Sequence, residues 1–318
     1  MQSTFQYAIT GVALALGMAV TSQVLAADIE ACQLVRFTDP GWTDVSAANA
    51  VAANLLQGLG YETSVSLLGA PIGFESLKSG SIDVFLGNWL PAQQRFIDKY
   101  GEDVDSVGAN LAGAKFTLAV PQYVYDSGVK SFSDLARYAD KFDKRIYGVD
   151  PGAAANGSIQ KMIDKGDFGL AGWRLVESGE QAMLSQVQRA LRKQDFIVFL
   201  GWEPHPMNLR FDMAYLSGGD DYFGPDYGGA TINTVTRKDY AVQCPNVGTL
   251  LSNLEFSLDM QSEIMGGIID DNKTPEAAAR EWIKAHPEAL APWLDNVTAR
   301  DGQPGLSAVQ AHLGISAS

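Results

Sequence analysis

Three tryptophans follow short apolar stretches, each with a glycine one or two positions before it. Trp42 lies in DPGWTD, Trp89 in VFLGNWLP and Trp202 in VFLGWEP. Glycine lets the backbone come close and directs the neighbouring ring outward. Indole faces attract a quaternary ammonium group, which has no N–H to donate. The alternative for each tryptophan taken singly is that it fills the core at a sheet edge.

Asp44 is the acidic residue nearest to this pattern, two positions after Trp42. It could face the cation or accept a hydrogen bond from a ligand hydroxyl, and its alternative role is to cap a helix that starts at Val45. Each desolvated ring contributes up to about 2 kcal/mol to cation binding. Because micromolar affinity needs about 8 kcal/mol, three or four rings could support it.

Other polar groups near strand ends have structural interpretations. Glu203 and His205 alternate with prolines, which is typical of a rigid turn. The loop 150–158 opens a helix, so its free N–H groups could hold a carboxylate or bond water. The acidic loop 217–229 could hold calcium, but it lacks the EF-hand spacing, and we expect a solvated turn with no metal.

Catalytic signatures are absent from the sequence. There is no Gly-x-Ser-x-Gly elbow, Walker loop, His-Glu-x-x-His or Gly-x-Gly-x-x-Gly. We therefore expect no catalytic residues and no cofactor. The enzyme alternative is a secreted hydrolase or lyase that uses carboxylates on a small cationic substrate, and a third class is an adhesion module with an exposed apolar face.

Strand and helix signals alternate in two successive series, which predicts an α/β fold with mostly parallel sheets. The first series is 32–39, 45–59, 63–69, 73–79 and 82–88. The second is 115–121, 132–142, 145–151, 158–165, 173–178, 181–193 and 196–201. After residue 210 we expect a Gly- and Asp-rich loop followed by helices, at 251–269 and from Thr274-Pro275-Glu276.

Composition and the N-terminus indicate an exported protein. The net charge is −14, and the 23 Lys and Arg residues form no basic block, which argues against nucleic acid and against an anionic membrane surface. Residues 1–26 resemble a signal peptide, with an apolar run from Ala8 to Val20 and Ala27 as the first mature residue. That run is too short to span a bilayer, and no later segment could do so.

The chain has two cysteines, Cys32 and Cys244. In an oxidising compartment we expect a disulfide, and the alternative is two buried free thiols. The bond would stabilise the fold by restricting the unfolded chain and would place the last third of the chain beside the first unit.

The motifs resemble those of a known family of transport proteins. GWTD at 41–44, SIDVFLGNWLP at 81–91, ESGEQAM at 177–183, VFLGWEPHPMN at 198–208 and YLSGGDDYFGP at 215–225 resemble the substrate-binding proteins of glycine betaine/choline ABC importers, in particular the periplasmic choline binders. The resemblance implies a two-lobed type II periplasmic-binding fold. Lobe one would comprise 27–115 and 211–318, and lobe two 116–210.

The resemblance also implies a set of binding residues. Trp42, Trp89 and Trp202 would form an aromatic cage, with Asp44 as its acidic partner. Phe116 stands where the choline binders have a tyrosine that completes the cage, and Ala153 stands where they have an asparagine that holds the ligand hydroxyl. Both departures remove polar contacts. The residues therefore support choline and carnitine as ligands about equally, and glycine betaine less.

The same resemblance implies the partners and the setting of the protein. It would be a periplasmic monomer that closes about a hinge on its ligand and presents it to an ABC permease with its ATPase. It would not insert into the membrane after the signal is removed, and it would bind no nucleic acid.

Overall fold

The structure is a computed structural model and describes residues 28–316. The predicted export signal, 1–26, lies outside these residues. Within the described range, no helix has both the length and the apolarity needed to cross a membrane.

Residues 28–316 form an α/β fold, which confirms the predicted class, and its one sheet of nine strands is mixed rather than mostly parallel. The strands are β1 Leu34–Asp39, β2 Glu62–Leu67, β3 Val84–Leu90, β4 Val104–Pro121, β5 Arg145–Tyr147, β6 Arg174–Val176, β7 Phe199–Glu203, β8 Met213–Tyr215 and β9 Gly229–Arg237. Their order is β2-β1-β3-β9-β4-β7-β5-β6, and β8 pairs with β4 off this path.

Helices cover the faces of the sheet. They are α1 Thr43–Gly58, α2 Ala70–Ser79, α3 Gln94–Tyr100, α4 Gln122–Asp126, α5 Ala154–Lys165, α6 Glu180–Lys193, α7 Met207–Arg210, α8 Asp220–Phe223, α9 Pro225–Gly228, α10 Tyr240–Gln243, α11 Pro245–Asn253, α12 Leu258–Ile269, α13 Pro275–Ala285, α14 Leu290–Trp293 and α15 Gly305–Leu313. Short 3₁₀ turns lie at Glu30–Cys32, Phe132–Tyr138, Asp167–Gly169 and Pro287–Ala289.

The sheet consists of two parallel triplets joined by antiparallel strands. In the first triplet β1 pairs in parallel with β2 and β3, and in the second β5 pairs in parallel with β6 and β7. Between them β9 runs antiparallel to β3 and β4, and β4 runs antiparallel to β7. Ligands of such open sheets bind beyond the carboxyl ends of the parallel strands.

The centre of the sheet differs from the sequence-based expectation. The region after residue 210 was expected to hold a loop and helices only, and it contains β9 as well. The expected strand 115–121 is the last part of the 18-residue β4. Both segments lack a continuous apolar run, since β9 alternates threonine and asparagine with apolar residues and the start of β4 is rich in Gly and Ala. The alternation in β9 is itself typical of a half-buried strand, whereas the start of β4 has no such signal and depends on cross-strand pairing.

Two helix predictions were wrong in extent. The segment 251–269 is interrupted between α11 and α12, and 132–142 forms a shorter 3₁₀ helix. The predicted helix start near Thr274 is confirmed, because its side chain accepts the N–H of Ala277 at 3.2 Å at the beginning of α13.

The predicted disulfide is confirmed. Cys32 and Cys244 are bonded, with their Cα atoms 5.7 Å apart, and both are buried. The last third of the chain does lie beside the first unit, because α1 packs against α12, α13 and α15. Since α1 is Ala-rich and buried on nearly all sides, close helix packing is its main source of stability. The expected lobe boundaries fall inside β4 and at the end of α7, and the division into lobes stays a prediction.

Candidate functional site

One cavity opens where the two parallel triplets face each other. Its volume is about 480 Å³, with open solvent at the mouth included. Its lining consists of Trp42, Asp44, Trp89, Ala92, Gln93, Phe116, Val149, Ala153, Ala154, Ala155, Leu200 and Trp202. All six residues expected to bind a ligand belong to this lining, and their contact with a ligand stays a prediction.

Trp42 reaches the cavity from a tight turn after β1. Gly41 has a φ of +89°, which favours glycine, and its N–H donates to the Asp39 carboxylate at 2.6 Å. The indole N–H of Trp42 donates to Asp150 Oδ1. Asp150 follows β5, so this bond joins the two triplets beside the cavity. Burial raises the pKa of Asp150, and the bond from Trp42 opposes that increase.

Trp89 and Asp44 are joined directly, by a hydrogen bond of 3.1 Å from the indole Nε1 to Oδ2. Asp44 is only 4% exposed. Burial raises the pKa of Asp44 to about 7, the charge of Glu180 adds to the increase, and the bond from Trp89 opposes it. A cation in the cavity would favour the ionised carboxylate. The alternative role of Asp44 as a helix cap is wrong, because Trp42 holds the N-cap position and Asp44 lies inside the first turn.

Phe116 and Trp202 are directly opposite each other on the antiparallel strands β4 and β7. The ring of Trp89 meets that of Phe116 edge to face, with centroids 6.0 Å apart. Edge-to-face packing fixes the orientation of such rings. Aromatic rings from three strands and from the turn after β1 thus surround the cavity.

Ala153 immediately precedes α5, and with Ala154 and Ala155 it gives the cavity an apolar wall. Among residues 28–316, no side chain caps the N-terminus of α5. The preceding carbonyl, Gly152 O, accepts a hydrogen bond of 3.1 Å from Arg95 on α3. This contact is a second link between the two triplets.

Glu180 forms a third link and has no role in the sequence-based prediction. It is 2% exposed, and it accepts the backbone N–H of Thr43 at 2.9 Å and the Thr43 hydroxyl. His205 lies on its other side, with Nε2 3.3 Å from Glu180 Oε1. Met207 N–H donates to His205 Nδ1 at 2.9 Å, so the ring proton is on Nε2 and points at Glu180.

His205 and Glu203 stay outside the cavity lining. The ring of His205 packs edge-on against Trp202 with centroids 4.7 Å apart, and Glu203 forms an ion pair of 3.1 Å with Lys115. The contact with His205 supports the ring of Trp202. In residues 28–316, the His, Cys, Asp and Glu side chains form no group of three or more that could hold a metal ion.

Gln93 is the second residue that sequence reasoning missed. It follows β3 by three positions and immediately precedes α3, and it is 1% exposed. Its position four residues after Trp89, at the carboxyl end of a parallel strand, is the signal that could have indicated it.

Comparisons with known proteins agree on one family. The model of the "substrate binding domain of ABC-type glycine betaine transport system" matches residues 33–285. The glycine betaine/carnitine transport binding protein GbuC of Listeria monocytogenes is 31% identical over 163 residues, which are 51% of this chain and 53% of that protein. The match thus spans about half of the length of GbuC.

Two solved structures are similar over 90% of this chain and 100% of theirs. An ABC-transporter choline binding protein in complex with choline is 52% identical, with a TM-score of 0.89. An ABC-transporter choline binding protein in an unliganded semi-closed conformation is also 52% identical, with a TM-score of 0.83. This chain is therefore more similar in shape to the choline-bound form.

Proposed function

This chain belongs to the family of substrate-binding domains of ABC-type glycine betaine transport systems, and we propose that its own ligand is choline. The observation that carries the proposal is the convergence of Trp42, Trp89, Trp202 and Phe116 on one cavity with a single carboxylate. Two similar solved structures are of an ABC-transporter choline binding protein, one of them in complex with choline.

The lining suits a methylated cation. Apart from Asp44 and Gln93, it consists of aromatic, alanine, valine and leucine residues. An apolar wall accepts methyl groups, and the indole faces attract their positive charge. A primary amine would leave N–H donors without acceptors there, which is costly.

Asp44 supplies the balancing charge. A buried carboxylate without a partner is destabilising, because its hydration is lost. Trp89 provides a hydrogen bond and no net charge. A cation held by the rings would complete the neutralisation, and this makes Asp44 a partner for the ammonium group.

The acidic surroundings favour choline over carnitine and glycine betaine, which the sequence left open. Three acidic side chains lie beside the cavity, and each accepts a hydrogen bond: Asp44 from Trp89, Asp150 from Trp42 and Glu180 from Thr43. A ligand carboxylate would be repelled by these groups. The uncapped N-terminus of α5 offers some compensation, so we expect weaker binding of carnitine and glycine betaine rather than none.

The transport role follows from the family. We propose that the mature protein is a periplasmic monomer that closes about a hinge between the two expected lobes and presents choline to an ABC permease and its ATPase. The three links, Trp42 to Asp150, Arg95 to Gly152 and Thr43 to Glu180, support a closed arrangement. We expect no turnover of the ligand.

A panel titration tests this proposal. Residues 27–318 are titrated calorimetrically with choline, carnitine and glycine betaine, and the recovered ligand is identified by mass spectrometry. We expect choline to bind tightest and to be recovered unchanged. No binding of any of the three, or conversion of the bound compound, would contradict the proposal.

A further inference from the structure

Gln93 is a buried polar side chain in the cavity wall that lacks a partner. It is 1% exposed, and its Oε1 has no hydrogen-bond partner among the described residues. A buried carbonyl oxygen is normally satisfied, since leaving it unpaired is unfavourable. Gln93 lines the cavity, and because a 180° turn of the amide exchanges its oxygen and nitrogen, a molecule held there can supply the missing donor.

Three of the other polar groups of the wall are already engaged. The indole N–H groups of Trp42 and Trp89 donate to Asp150 and Asp44. Asp44 is a charged acceptor that suits the ammonium end of a ligand. The indole N–H of Trp202 can only donate, so the amide of Gln93 is the neutral side-chain acceptor left to recognise a hydroxyl at the other end.

From this arrangement we propose that Gln93 accepts a hydrogen bond from the ligand hydroxyl and thereby selects hydroxylated quaternary ammonium compounds. The inference rests on the proposed function, since it requires a quaternary ammonium ligand in this cavity. The inference also accounts for the alanine at position 153. If Gln93 binds the ligand hydroxyl, no polar side chain is needed at position 153 for that purpose.

The orientation of the amide gives the inference a clear alternative. An amide oxygen accepts from a hydroxyl, whereas the amide turned by 180° would present Nε2, which donates. A donor there would favour the carboxylate of glycine betaine, which has no hydroxyl. The two orientations predict opposite selectivities.

The test compares choline with ethyltrimethylammonium, in which a hydrogen replaces the hydroxyl, and with glycine betaine. Affinities are measured by calorimetry for the wild type, Gln93→Met and a second variant, Gln93→Leu. We expect choline to bind about 3- to 10-fold more weakly to the variants, the effect of one neutral hydrogen bond. The affinity for ethyltrimethylammonium should stay within about twofold, because it lacks the group that Gln93 reads.

Gln261 provides a matched control. It is also a buried glutamine whose Oε1 lacks a partner among the described residues, and it lies on α12 outside the cavity lining. Gln261→Met should leave the ratio of choline affinity to ethyltrimethylammonium affinity unchanged.

Three results would overturn the inference. Equal losses for choline and ethyltrimethylammonium would mean that Gln93 only packs, and unchanged choline binding would mean that it makes no contact. A selective loss for glycine betaine would mean that the amide donates. If the wild type binds none of the compounds, the proposed function fails together with the inference. If it binds choline and the Gln93 variants have the same ratio of choline affinity to ethyltrimethylammonium affinity as the wild type, only the inference fails.

Discussion

Glu180 accepts the backbone N–H of Thr43 at 2.9 Å across 137 residues of sequence. Thr43 begins α1, between the cavity residues Trp42 and Asp44, and Glu180 begins α6, which connects β6 to β7 of the second triplet. A single buried carboxylate thus joins the two halves of the sheet beside the cavity. His205 holds that carboxylate from the other side.

Replacement of Glu180 should weaken ligand binding. Glu180→Ala removes two hydrogen bonds to a charged acceptor, and these bonds require the two triplets to be together. We expect the affinity for choline to fall about 10- to 100-fold, since such bonds contribute roughly 1.5–3 kcal/mol. Calorimetry measures the change, with Gln188→Ala, at an exposed position of the same helix, as control. Unchanged affinity with reduced thermal stability would show that Glu180 serves the fold alone.

Truncation of a cage ring should have a comparable effect. Trp42 is half-buried, so Trp42→Ala should leave the fold intact and reduce choline affinity about 10- to 30-fold, which corresponds to roughly 2 kcal/mol. The control is Trp282→Ala on α13, where the indole stacks on His286 away from the cavity lining. Equal losses of choline affinity in Trp42→Ala and Trp282→Ala would contradict a specific role of Trp42.

Choline affinity should rise with pH around neutrality. Burial raises the pKa of Asp44 to about 7, so the carboxyl is largely protonated at pH 6 and ionised at pH 8. Because a cation prefers the ionised form, affinity should increase about tenfold between pH 6 and pH 8, with proton release on binding below pH 7. Asp44→Asn should weaken binding and abolish this dependence.

Glu180 provides a control for the same pH profile. Its charge adds to the increase in the pKa of Asp44, so Glu180→Gln should move the midpoint of the profile to lower pH. A flat profile in the wild type, or a midpoint that moves upward, would contradict the account of Asp44.

Removal of the disulfide should lower stability without changing the cavity. Cys32 and Cys244 close a loop with a sequence separation of 212 residues, and the double variant Cys32→Ser/Cys244→Ser should lose about 2–5 kcal/mol in the free energy of unfolding, the usual cost of removing a native disulfide. Urea unfolding measures the loss. Neither cysteine lines the cavity, so a large change in choline affinity of the folded variant would be unexpected.

The parts of the fold that could be predicted are those with strong local signals. The apolar runs before Trp89 and Trp202, bounded by glycine, indicated β3 and β7 because buried parallel strands require such runs. The alternation of threonine with apolar residues in β9 is itself typical of a half-buried strand, so its type was predictable, whereas its place between β3 and β4 depends on strands remote in sequence.

The same distinction holds for the cavity. The aromatic residues of the cavity could be predicted, because their type and their position at the end of an apolar run are properties of the local sequence. The roles of Glu180 and Gln93 could not, since each depends on groups remote in sequence or on a cavity that exists only after folding. Glu180 lies within the ESGEQAM motif, yet nothing in that motif indicates Thr43 as its partner.

The central claim is that this cavity recognises a positive charge on a methylated nitrogen. The most direct measurement compares choline with 3,3-dimethyl-1-butanol, in which carbon replaces the nitrogen and the shape is kept, by calorimetric titration of the mature chain. We predict micromolar binding of choline and at least about 100-fold weaker binding of the neutral alcohol, because the alcohol lacks the attraction to the rings and to Asp44. Similar affinities for the two compounds would contradict the claim.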